Sequence, residues 1–214
     1  MQKLDLKKNL KTFYNAKPIP AFIDIPTFNF LAIDGSGNPN TSKDYSNAVQ
    51  TLYAIAYTLK FKVKKELQID YPVMALEGLW WSADMQVFKA GIKDNWNWTM
   101  MISVPEFITA EMVSSACLEA DSKKSLPALP LLHFTPFAEG FSAQLMHIGP
   151  YNAEAENINI LHAYIHTGGY GFDGLRQKHH EIYLSDPRKT APERLKTIIR
   201  QPVTPSINEK NLAI

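Results

Sequence analysis

The stretch ALEGLWWSAD, residues 75–84, places Glu77 shortly before two adjacent tryptophans, Trp80 and Trp81. On an extended chain neighbouring side chains point to opposite faces, so the two indoles need different partners. Glu77, Leu79 and Trp81 share one face; Leu76, Gly78 and Trp80 share the other. A carboxylate in such company is expensive to bury unless it is paired or used. The stretch therefore reads as a sheet strand with one tryptophan under a helix layer and the other lining an open trough. Trp81 is favoured for the trough because it shares a face with Glu77.

Working outward, TFNFLAIDGSG (27–37) reads as a strand ending in a glycine turn. In residues 38–65 Val49, Leu52, Tyr53, Ala56, Tyr57 and Leu59 recur at helical spacing, with Thr41 or Ser42 able to cap the start. WNWTMMISVP (96–105) reads as the strand paired with LEGLWW, across a long polar hairpin connection at 82–95. The same order then returns. EGFSAQLMHIGPYN (139–152) is a strand with a glycine turn, AEAENINILHAYIHTGGY (153–170) a helix with a Gly-Gly stop, and KHHEIYLSD and LKTIIRQPV two further strands. The repetition predicts two βαββ modules, about 26–105 and 139–203, related by a pseudo-twofold axis. The connector, 106–138, begins as a helix around Thr109 to Lys124. A short helix is expected from Leu4 to Tyr14, and the tail 204–214 is expected to be loose.

The expected fold class is α+β: one domain over 1–203, its antiparallel sheet carrying both helices on one face and a ligand groove on the other. The 214 residues suffice for a real core, and 45% hydrophobic and 20% charged residues are ordinary for a globular chain. A net charge of +1 gives no electrostatic reason to expect nucleic acid or an anionic membrane. Cys117 is the single cysteine, which rules out an internal disulfide or a thiolate zinc site. No run approaches the length of a membrane span, and the charged N-terminus lacks the apolar core of a signal peptide, so a cytoplasmic location is expected.

The residues that could carry chemistry are aromatic and acidic. On KHHEIYLSD, alternation groups His179, Glu181 and Tyr183 against His180, Ile182 and Leu184. The apolar pair suggests the core face, which sends Glu181 into the trough with Glu77. There Glu181 could attract cations or, partly desolvated, act as a general base on water. Tyr183 could hydrogen-bond an oxygen that gains charge. Trp80, Trp81, Trp98, Tyr151 and Tyr170 are candidates for the ligand wall; the plain alternatives are core tryptophans and a solvent-facing glutamate. No metal or cofactor is expected. His179 and His180 point to opposite faces, while His162 and His166, at i and i+4, lack a third ligand.

Residues 31–61, LEGLWW, WTMMISVP and residues 179–203 together resemble the stand-alone GyrI-like proteins, over nearly the whole chain to Val203. The resemblance implies two βαββ repeats with a ligand groove between them. Relatives include effector-binding domains of AraC-type and MerR-type activators, a DNA gyrase inhibitor, and hydrolases that open cyclopropane-containing genotoxins. It implies that Glu181 is the ligand-facing acid, and that the tryptophan doublet and Tyr183 form the aromatic wall. The expected partner is a small aromatic or cationic molecule, bound by a monomer or homodimer. The expected activity is hydrolysis of cyclopropanoid toxins by a glutamate base; the alternatives are a sequestering or sensing module and a gyrase-interacting protein. No helix-turn-helix precedes the domain, so direct DNA binding is not expected.

Overall fold

The computed structural model describes residues 1–83 and 93–206. In chain order its elements are β1 (Gln2–Lys3), α1 (Leu6–Asn9), β2 (Ala21–Ser36), α2 (Lys43–Glu66), β3 (Ile69–Asp70), β4 (Leu76–Trp81) and β5 (Asn97–Val104). There follow α3 (Ala110–Lys123), β6 (His133–Ile148), α4 (Ala155–Thr167), β7 (Tyr170–Gly171), β8 (His179–Tyr183), β9 (Lys196–Pro202) and β10 (Thr204–Pro205). The helices start where the sequence can satisfy their free N–H groups. Ser42 Oγ accepts from the Tyr45 N–H at 3.3 Å to open α2, and Thr109 Oγ1 accepts from the Met112 N–H at 3.3 Å to open α3. No helix among the described residues is long and apolar enough to cross a membrane.

The large strands are antiparallel and run β2-β5-β4-β8-β9-β6, with β6 returning to β2. The expected open sheet is thus a closed six-stranded barrel. Closure removes the free edges that an open sheet would leave unpaired. It also removes the expected trough opposite the helices, because that face becomes the barrel interior and side chains fill it. Leu79 and Trp81 of β4 meet Phe28, Phe30, Ala32, Met101 and Phe137 there. Lys178 Nζ sits 3.4 Å from the centre of the Trp81 ring, a cation–π contact.

Helices α2 and α3 cover the outside. Leu52, Ile55, Leu59 and Val63 pack with Leu31, Ile33, Trp80, Trp98, Met100 and Ile102. Gly35 is required here: a Cβ on it would lie 2.2 Å from the Trp98 ring. A smaller cluster joins Leu161 and Ile165 of α4 to Ala143, Leu145 and Ile199. Thr204 and Pro205, placed in the loose tail by sequence, pair with Gly171 and Tyr170; residues 207–214, and 84–92 of the long hairpin connection, lie outside the described residues.

Inside the barrel, Glu77, His180, Glu139 and Arg200 form a row of alternating charge. His180 Nε2 lies 3.0 Å from Glu77 and Nδ1 2.9 Å from Glu139, whose other oxygen is 3.0 Å from Arg200 Nη1. Arg200 also donates to Gln144 Oε1 at 3.0 Å. Glu139 and Gln144 differ in parity yet both reach Arg200. Gly140 between them has φ +73°, a left-handed conformation that glycine adopts freely, and the pairing of β6 with β2 keeps its register on both sides of it. The N-terminal arm closes this row. Tyr14 O–H donates to Glu77 at 2.7 Å, its oxygen lies 2.9 Å from Ser103 Oγ, and the Phe13 carbonyl accepts from Arg200 Nη2.

Candidate functional site

Opposite residues on paired strands share a face, and β4 aligns with β8 so that Trp80 faces His179, Gly78 faces Glu181 and Leu76 faces Tyr183. Trp80 packs on the helix side, so Glu181 and Tyr183 lie on that side too. The sequence reading had put Glu181 in a trough on the opposite face, with Ile182 toward the helices. In a closed barrel both faces of a strand are covered, and Ile182 packs with Met146 and Ile198 inside, so its apolar character did not identify the helix side.

The site is built around the Glu181 carboxylate. Tyr183 O–H donates to its Oε2 at 2.7 Å, and Trp80 Nε1–H donates to the Tyr183 oxygen at 3.0 Å. His179 Nε2 reaches Oε1 at 3.2 Å, and His179 Nδ1 lies 3.2 Å from the Gln201 amide. Strands β4, β8 and β9 thus hold the acid from below. The first turn of α2 brings Tyr45, tilted over Trp80 at 6.0 Å between ring centres and edge-on to Trp98 at 5.5 Å. The 3₁₀ turn Tyr151–Ala153, before α4, brings Tyr151 edge-on to Tyr183 at 5.6 Å. Trp96 meets Trp80 at 5.8 Å, and Lys93 Nζ stands 5.3 Å from the Trp96 ring centre.

Only 14% of the Glu181 side chain is exposed, whereas Tyr151 is 37% exposed and marks the outer side of the cluster. Burial alone would favour the neutral acid. The His179 hydrogen bond and charge, the Tyr183 hydrogen bond and Lys93 outweigh it and hold the Glu181 carboxyl below its ordinary range. Tyr183 shifts upward, through burial and then the Glu181 charge, and remains a phenol that donates. Tyr45 is raised by the same two causes in the same order. An ionised carboxylate beside aromatic faces suits a flat or cationic guest, and the anionic form is the one that can accept a proton from water.

The acidic and aromatic positions expected at the ligand fall into four places. Glu181, Tyr183, Trp80 and Tyr151 come together at this site. Glu77 and Trp81 lie inside the barrel, Glu77 bound into the His180 row and 1% exposed. Trp98, also 1% exposed, is packed on Gly35. Tyr170 sits at the far end of α4 against Phe22 and Phe141, at 5.1 and 5.2 Å, roughly 20 Å along the helix from its start. Sequence reading missed Tyr45 and Glu154 and weighed His179 only as a metal ligand. Glu154 reads in sequence as a residue at a helix start; in the structure it makes no cap bond and is buried beside Glu181.

Three solved structures are similar to this chain. An uncharacterized conserved protein from Listeria innocua is 41% identical, with 94% of this chain and all of that one covered at a TM-score of 0.87. A hydrolase from Listeria innocua is 39% identical, with 94% and 100% covered at a TM-score of 0.82. The EcmrR C-terminal domain, at 14% identity, 87% and 97% coverage and a TM-score of 0.54, shares the fold. No curated protein matches. Residues 20–204 match the GyrI-like small molecule binding domain, which takes in every strand of the barrel and every residue around Glu181, and the chain belongs to that family.

Proposed function

We propose that the protein binds small aromatic or cationic compounds against Glu181 and hydrolyses strained electrophiles of the cyclopropanoid type, with Glu181 as the base. The observation that carries this reading is the buried, ionised Glu181 carboxylate, fixed on both oxygens and flanked by Trp80, Tyr45 and Tyr151. The Listeria hydrolase of closely similar fold adds weight to chemistry over binding alone. In the proposed step a water oxygen bonds to the ring carbon while Glu181 takes its proton. The strained carbon–carbon bond breaks, and its electron pair moves to the substrate's electron-withdrawing group. The aromatic rings supply orientation. Tyr183, which donates to Glu181 in the free protein, turns its proton to the substrate oxygen once Glu181 is protonated.

The reading of the chain as two βαββ modules about a pseudo-twofold axis belongs with this proposal. Its support is the strand order, in which β2-β5-β4 is followed by β8-β9-β6. A second reading, a sequestering module without chemistry, draws on the fact that both Glu181 oxygens already accept hydrogen bonds. Incubating wild type and Glu181→Gln with a cyclopropane-bearing alkylator, with products followed by mass spectrometry, separates the two. The proposal expects ring-opened product from wild type and a loss of about 10²-fold or more in Glu181→Gln. Equal rates in both proteins would remove Glu181 as base, and product at the no-protein level would leave sequestration.

A further inference from the structure

Glu154 has an unusual position. It stands at the N-cap of α4, where an acidic side chain ordinarily accepts from the first free N–H groups, yet it makes no such bond. The residue is 5% exposed, and its Oε1 is buried with no hydrogen-bond partner. Its carboxyl group instead turns toward β8 and β9, where it lies close beside Glu181 and Thr197. Two buried carboxyl groups in contact cannot both be ionised, so one proton is held between them. The donors decide where it rests. Glu181 accepts from Tyr183 and lies against His179, which favour its anion, while Glu154 has an oxygen with no donor at all.

We propose that Glu154 stores the displaceable proton of the Glu181 site, so that a cationic ligand expels a proton as it binds and a neutral ligand does not. This rests on the binding reading above and deepens it. In the free protein the pair carries one negative charge and one proton. A cation seated against the aromatic rings lowers the cost of a second anion, and linkage then requires the proton to leave. The groups facing the pair are Lys93 of the 3₁₀ turn Lys93–Asn95, Tyr45 of α2, Tyr151 beside Glu154 itself, His179 and Tyr183 of β8, and Thr197 of β9. The charge of Lys93 bears on both carboxyl groups and favours both anions. Burial, followed by the Glu181 charge, raises Glu154 well above the carboxylate range.

The test has a ligand-free arm and a ligand arm. Infrared difference spectra at neutral pH should show the carbonyl stretch of a protonated carboxylic acid in wild type, lost in Glu154→Gln and shifted in Glu154→Asp. Ethidium, a permanent planar cation, should then release close to one proton by calorimetry in two buffers of different protonation heat. Its affinity should rise toward about tenfold per pH unit. In Glu154→Gln both effects should vanish, and phenanthridine, the uncharged analogue, should release no proton from wild type. A missing acid band in wild type, a band that survives Glu154→Gln, or equal proton release from both proteins would overturn the proposal. If ethidium does not bind, the band still decides where the proton rests, and the failure falls on the binding reading.

Discussion

His180 lies between Glu77 at 3.0 Å and Glu139 at 2.9 Å, with almost no solvent contact. Burial alone would keep its ring neutral, but the charge and hydrogen bond of Glu139 and the contact with Glu77 raise its pKa to about 9. The unfolded ring titrates near 6.5, so the charged ring contributes stability that is complete below that pH and disappears as pH rises through about 9. Glu139 acts in the opposite sense. Burial works against its charge, but His180 and Arg200 hold it low, and its contribution is lost as pH falls below the carboxylate range. Urea unfolding of wild type should therefore lose roughly 3 kcal/mol between pH 6 and pH 9.5 through His180. Glu139→Gln should be less stable by about 3–5 kcal/mol at pH 6 and should show a shallower alkaline decline. Parallel curves for the two proteins over this range would remove His180 as the cause.

On β4, alternation sends adjacent indoles to different surroundings, and function should divide along that line. Trp80 touches the Glu181 site through Tyr183, whereas Trp81 faces Lys178 and the barrel interior. Trp80→Phe should weaken binding of a planar cationic dye by about five- to tenfold, because it removes a hydrogen bond worth about 1 kcal/mol that orients Tyr183. Trp81→Ala should leave dye affinity within about twofold, as its site lies across the sheet; fluorescence titration gives both numbers. The reverse ranking would place the ligand inside the barrel. The strands and long helices were legible because their periodicity is strong: Val49, Leu52, Ala56 and Leu59 mark α2 without help from the rest of the chain. The face of β8 was not legible. Ile182 and His180 share it, so its hydrophobicity was mixed, and only the pairing of Gly78 with Glu181 fixes which way the acid points. Glu154 was hidden for a related reason, since in sequence it is indistinguishable from an ordinary acidic residue at a helix start.

At the scale of the whole molecule, the barrel needs its N-terminal arm. The family match begins at residue 20, yet Tyr14 donates to Glu77, Phe13 accepts from Arg200, and the Lys17 carbonyl accepts from the Met146 N–H at 2.7 Å. β1 ties the arm further by pairing in parallel with β3. Deleting residues 1–19 should take one hydrogen-bond partner from each of two buried charged groups, Glu77 and Arg200, and lower stability by more than about 3 kcal/mol, while Tyr14→Phe should cost about 1–2 kcal/mol. Thermal melts of the two variants check this, and a deletion no worse than Tyr14→Phe would show that the arm is dispensable. Closure of the sheet was itself invisible to sequence reading, because the pairing of β2 with β6 joins segments far apart in the chain and leaves no local periodicity.

A cylinder of six strands has no margin that can splay, and Glu181, Tyr183, His179 and Trp80 are all carried on its wall. The floor beneath a guest is therefore stiff, and compliance must come from above it, where the 3₁₀ turn Tyr151–Ala153 and the opening turn of α2 meet the sheet through the Tyr151–Tyr183 and Tyr45–Trp80 ring contacts. Guests of different thickness would be accommodated by the lift of that roof, while the carboxylate keeps its coordinates. Breadth of ligand choice and constancy of the charged anchor would then be set by separate parts of the same chain.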